Sequence, residues 1–273
     1  MSTRLSRLAV LGAATAVLLS IAGPVAAAPA PAMVRVLHAS PDAPAVDVYV
    51  NDAKVGAPLA GLKFGDLSSY VSLPAGTYNI KVCAAADAMV CPIVANGVAL
   101  AAGTHYTIAA TNVLASIEAQ IITDAPAPVA DKTQVRVVHF SADTPAVDVL
   151  TRDGSAKVVD NLAYPKATGY LTLAAGSYDL KVCAHADNTV CPLDPGALTL
   201  EAGKSYSVFA IGSLTGTTLT AAVGVDAVLP PATDTVTPSQ SPSPISSMAV
   251  LLIAAGLVSL MGAARLAVRR VER

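Results

Sequence analysis

Val34-Arg35-Val36-Leu37-His38-Ala39-Ser40-Pro41-Asp42-Ala43-Pro44-Ala45-Val46-Asp47-Val48 opens a segment that the chain uses twice. About a hundred residues later it returns as Val135-Arg136-Val137-Val138-His139-Phe140-Ser141-Ala142-Asp143-Thr144-Pro145-Ala146-Val147-Asp148-Val149. The chain is therefore a tandem duplication. Within each copy apolar and polar residues alternate with a period of two: Val46, Val48 and Val50 against Asp47, Tyr49 and Asn51, and Val34, Val36 and His38 against Arg35 and Leu37. That period marks half-buried strands, with Pro-containing turns between them.

Working outward, repeat one covers residues 33–123 and repeat two 133–228, with a Pro-rich spacer at 124–132. The alignment slips by one residue between the turn dipeptides Asn51-Asp52 and Asp153-Gly154, where a length change is most easily absorbed. Further strands are predicted over 68–73, 77–84, 104–111 and 114–122, and over 169–173, 177–184, 205–211 and 217–228. No amphipathic helix is expected in either repeat. Short strands at this spacing predict an all-β chain of two tandem immunoglobulin-like, Greek-key β-sandwich domains. A turn phrase recurs four times, ending in Gly76-Thr77-Tyr78, Gly103-Thr104-His105-Tyr106, Gly176-Ser177-Tyr178 and Gly203-Lys204-Ser205-Tyr206. Each Tyr is expected to bury its ring while its hydroxyl bonds turn backbone.

The termini read as sorting signals. Arg4 and Arg7, an apolar run over 8–21 and Val25-Ala26-Ala27-Ala28 predict a signal peptide at 1–28. A Pro/Ser/Thr stalk is expected at 229–244, then an uncharged transmembrane helix at 245–264 and a basic cytoplasmic tail at 265–273. The arginines of that tail place the C-terminus inside and both repeats outside the cell membrane. Leu229-Pro230-Pro231-Ala232-Thr233-Asp234 departs from a sortase motif. Between the two signals acidic residues outnumber basic ones, with no basic run and no Trp, which disfavours nucleic acid as a partner.

In an exported chain the four cysteines, at one repeated spacing, read as the disulfides Cys83–Cys91 and Cys183–Cys191. Zinc binding is the rival reading, but the ligand spacing is wrong and Ala85 stands where repeat two has His185.

The opening stretch invites chemistry. His38, Asp42 and Asp47, with His139, Asp143 and Asp148, are a candidate set for a divalent cation or small ligand. Ser40 with His38, and Ser141 with His139, suggest a hydrolase, but side chains two residues apart on a strand stand about 6.5–7 Å apart, beyond a direct hydrogen bond. A structural role accounts for more. Each His ends an inward-facing strand with its ring on nearby backbone, and the Ser and Asp shape the turn. Arg35 with Asp47, and Arg136 with Asp148, are expected to face outward and pair at the surface.

The opening phrase, the Ala-Gly-x-Tyr turn and the strands holding Lys81-Val82 and Lys181-Val182 together resemble the exported bacterial repeat known as domain of unknown function 4397. The resemblance implies a secreted or surface-anchored protein with no assigned activity and no catalytic residues to carry over. The expectation is a non-enzymatic cell-surface protein, without cofactor, that displays two modules to an extracellular protein or envelope component.

Overall fold

The computed structural model describes residues 28–230. The transmembrane helix at 245–264, the basic tail, nearly all of the signal peptide and most of the stalk lie outside the described residues. Among the described residues no helix is long and apolar enough to cross a membrane.

Repeat one supplies eight strands: β1 (Ala32–His38), β2 (Val46–Val50), β3 (Ala53–Lys54), β4 (Val71–Leu73), β5 (Gly76–Ala84), β6 (Ile93–Leu100), β7 (His105–Thr111) and β8 (Glu118–Asp124). Repeat two supplies β9 (Lys132–His139), β10 (Val147–Thr151), β11 (Lys157–Leu162), β12 (Leu171–Ala174), β13 (Gly176–Ala184), β14 (Ala197–Leu200), β15 (Lys204–Ile211) and β16 (Thr220–Val228). Each repeat is a sandwich of two four-stranded sheets, ordered β4-β1-β7-β8 over β3-β2-β5-β6 and β12-β9-β15-β16 over β11-β10-β13-β14. This order departs from the immunoglobulin arrangement expected from the sequence: β1 lies between β4 and β7, and β1/β7 and β9/β15 run parallel. Alternation identifies half-buried strands but does not say which strands become neighbours.

The four turn tyrosines behave alike in pairs. Tyr78 and Tyr178 donate their hydroxyls to the carbonyls of Pro74 and Ala174, both at 2.7 Å. Tyr106 and Tyr206 accept the amides of Ala101 and Glu201 at 3.1 and 3.2 Å. Both expected disulfides form, each tying the end of a long strand to the loop that follows. Closing so short a loop contributes about 2.5 kcal/mol in the chain-entropy model.

Between the sheets of repeat one lies a core of Val34, Val36, Val46, Val48, Ile80, Val82 and Ile108. The opposite faces of β1 and β7 are buried as well, because they meet β9 and β15. Leu37, Ala39 and Ala109 pack there against Val138, Phe140, Phe209 and Ile211. Gly224 lies where Leu67 and Arg35 approach so closely that a β-carbon would collide with both. Both repeats thus belong to one compact unit that ends at Leu229.

The same face corrects the expected surface ion pairs. Arg35 is 1% exposed and reaches not Asp47 but Asp226 of the other repeat, at 2.5 Å. Arg136 is likewise buried and pairs with Asp124 rather than Asp148. The arrangement is two-fold in character. Asp124 accepts Tyr70 Oη (2.6 Å) and Thr107 Oγ1 (2.7 Å) from its own repeat, and Asp226 accepts Tyr170 Oη and Ser207 Oγ (both 2.6 Å). Each arginine Nε donates to the hydroxyl beside it on the parallel strand, Thr107 (2.8 Å) or Ser207 (2.7 Å). Burial pushes both tyrosine hydroxyls up, out of the range in which they titrate, so they stay donors.

Candidate functional site

β1 delivers His38, and β9 delivers His139, to the base of the repeated loop. Both rings are fully buried. His38 Nε2 lies 3.0 Å from the carbonyl of Pro44, and His139 Nε2 lies 3.2 Å from that of Pro145. A carbonyl only accepts, so Nε2 carries the proton in each. In repeat two the Ser141 amide donates to His139 Nδ1 at 3.3 Å, which completes a neutral ring. Ser40 and Ser141 turn their hydroxyls to Asp42 (3.5 Å) and Asp143 (3.3 Å) rather than to histidine. The nucleophile–base contact that a hydrolase needs is therefore not made among the described residues.

The two aspartates tie the opening loop to the loop after β7 or β15. Asp42 accepts the Leu114 amide at 2.7 Å. Asp143 accepts Leu214 N and Thr215 N (both 2.9 Å), with Ser213 Oγ and Thr215 Oγ1 (both 2.7 Å). Burial alone would push the Asp143 carboxyl up. The donors of Thr215, Ser213 and Leu214 outweigh it and hold the group well below the usual carboxylate range. An open cleft of about 370 Å³ lies here between the repeats, lined by Pro41, Asp42 and Val113 from one and Ser213, Thr215 and Thr218 from the other.

Asp47 and Asp148 point elsewhere, to the edge of the outer sheet. Asp47 accepts Lys54 Nζ (2.5 Å) and Gly61 N (2.8 Å). Asp148 accepts Asn161 N (2.7 Å) and His185 Nδ1 (2.9 Å), with Lys157 Nζ 2.7 Å from its second oxygen. The six candidate ligands are thus engaged by three separate sets of partners in each repeat. What the fold does assemble is Asp148 with Asp160 and His185, their ligand atoms within 4.8 Å of one another. Lys157 Nζ lies between the two carboxylates, also 2.7 Å from Asp160, and supplies the counter-charge that a cation would otherwise bring. The sequence does not single out Asp160, because it stands in a strand, β11, whose register no sequence signal gives.

Burial holds the His139 ring below the ordinary histidine range, against smaller opposing effects of the Pro145 and Thr144 carbonyls. Its folded-state pKa lies below its unfolded value of about 6.5, so the stability it contributes is complete above that pH and declines as pH falls through it. We expect the melting temperature to fall between pH 7.5 and 5, and His139→Gln to flatten that part of the profile. Thermal melts of both proteins across the range check this; parallel profiles would exclude the assignment.

The described residues define an all-β protein of two sandwich repeats joined through a buried charged face. The chain belongs to the family described as "Domain of unknown function (DUF4397)", whose model matches residues 32–150 and 152–237 in two tandem copies. No curated protein matches the chain. Among solved structures it is similar to the C-terminal domain of AlgF from P. aeruginosa, at 21% identity over 35% of this chain and 98% of that one, with a TM-score of 0.28. It is also similar to the Bacillus anthracis TIE protein, at 9% identity over 67% of this chain and 34% of that one, with a TM-score of 0.21.

Proposed function

We propose that this is a non-enzymatic, exported and membrane-anchored protein whose two repeats act as one rigid body at the cell surface. Its recognition surface is composite: the cleft between the paired opening loops, which engages an extracellular protein or envelope component. The observation that carries this reading is the fixed cross-repeat face of Arg35, Asp226, Arg136 and Asp124, which sets the two loops at one spacing. A surface organised before binding loses less entropy on association. The His, Ser and Asp side chains of the loops are engaged internally and act as scaffold, and Pro41 and Val113 line the cleft.

Capture from envelope extract tests it. The unit 28–230 should retain a component that the double variant Pro41→Arg/Val113→Arg loses at least tenfold, with the melting temperatures of the two proteins equal. Equal capture by both, or none above a blank support, would sink the proposal.

A further inference from the structure

The two repeats share a fold but not a filled core. In repeat one Val36, Val82, Ile108 and Ala110 are 1–2% exposed; their counterparts Val137, Val182, Val208 and Ala210 are 6–9% exposed. The core of repeat two divides into a group around Val149 and Val182 and another around Val135 and Leu200. A cavity of about 120 Å³ lies between them. Its wall is apolar throughout, including at Thr151, whose hydroxyl is turned to Asp153 at 2.6 Å.

Two sequence differences open it. Val208 stands where repeat one has Ile108, one methylene smaller. The edge strand is also cut short. β6 pairs with β5 from Gly76 as far as Val82, but β14 pairs with β13 only from Gly176 to Asp179. Pro195 has no N–H to give the ladder, and Gly196 turns the chain away at φ +73°. Beyond them only the Val182–Leu193 bridge continues the sheet. The outer sheet therefore parts beside Leu180, which is half-buried where Ile80 is buried.

We infer that repeat two is a receptor for a hydrocarbon chain, taking the end of an alkyl or acyl group through the gap between Leu180 and Pro195 into the cavity between its sheets. A wholly apolar space gives water no partners and stays dry, and an engineered cavity of about 150 Å³ with such walls takes benzene or xenon. A slender chain suits an opening at a strand edge, where the head group remains in solvent. Repeat one, with its core closed, takes none.

The test is methyl NMR and thermal melting of the unit 28–230 with n-octyl glucoside held below its micelle concentration. Saturable shifts are expected at Val137, Leu180 and Val208 and not at Val36, Ile80 or Ile108, together with a rise of several degrees in the melting temperature. Val208→Ile/Ala221→Val refills the space; it should melt higher than wild type without ligand and lose the shifts at least tenfold in affinity. Shifts that are linear with concentration, equal in both repeats or unchanged in the refilled variant overturn the assignment. So does a refilled variant that melts higher while wild type binds nothing, which would make the space a packing void only.

Discussion

Asp124→Ala is expected to lower the stability of the whole unit by about 3–5 kcal/mol. The side chains of Arg136 and Asp124 are 4% and 0% exposed, so solvent screening discounts little of the loss. Removing the carboxylate leaves the Arg136 guanidinium buried with one hydroxyl, Ser207 at 2.7 Å, one carbonyl, Thr123 at 3.1 Å, and no carboxylate nearer than Asp226 at 4.0 Å. It also strips the acceptor from Tyr70 and Thr107. Asp226→Ala should do the same to Arg35, Tyr170 and Ser207. The double variant should cost clearly less than the two losses added, because once one pair has gone and the face has opened, water reaches the other. Urea unfolding of the four proteins measures this cycle. A loss under about 1 kcal/mol for either single variant, the range of exposed pairs, would mean that the repeats do not meet on this face. Replacing all four charges with apolar residues of similar volume should remove the penalty of an unpaired buried charge but not restore full stability, because the hydroxyls of Tyr70, Thr107, Tyr170 and Ser207 then lose their acceptors.

That face marks the limit of what the sequence discloses. Alternation along Val34–His38 separates Val34 and Val36 from Arg35 and Leu37, and the separation is real: the first pair enters the core of repeat one. Nothing in a period of two tells whether the other side meets water or a second sheet. An arginine between valines is read as exposed by default, and it is the partners across the face, Val225 and Asp226 for Arg35 and Thr123 and Asp124 for Arg136, that reverse it. Local chemistry was legible where its partners are local. The turn tyrosines bond backbone four or five residues away, the histidines bond carbonyls six residues on, and the cysteines close their own loops. β5, β7, β13 and β15 fall on predicted strands. β6 and β14 were not predicted, because Asn96-Gly97 and Pro195-Gly196 interrupt the alternation. The residues of the cation set are not brought together, for the same reason that the ion pairs differ. Asp47 and Asp148 leave the loop with the next strand and find Lys54 and Lys157, whose proximity depends on a register that the sequence does not give.

Phe209→Ala is expected to cost about 3–5 kcal/mol, and to lower the melting temperature by about 6–20 °C for a unit of this size. Phe209 is fully buried, yet it is not part of the core of repeat two, which its neighbours Val208 and Ala210 enter. It projects from the opposite face of β15, stacked on Phe140 at 6.1 Å between centroids, with the Arg35 guanidinium 5.6 Å from its ring. Repeat one places Ala109 and Ala39 at the equivalent positions, and these pack in the same cluster. The contact is therefore complementary in size rather than symmetric: repeat two brings the bulk and repeat one the room for it. Truncation removes the bulk without giving β7 anything else to close on, and the void lies beside the Arg35–Asp226 pair. Its cost should then appear in two readouts. Unfolding in urea should show the full loss. Proteolysis under native conditions should cut first within residues 125–131, where undocked repeats leave the connection accessible. A variant that loses stability but is cut no faster would place the damage inside repeat two and separate Phe209 from the joint. The reverse substitution, Ala109→Phe, should be comparably damaging, because a second large ring has no space on the face that already holds Phe140 and Phe209.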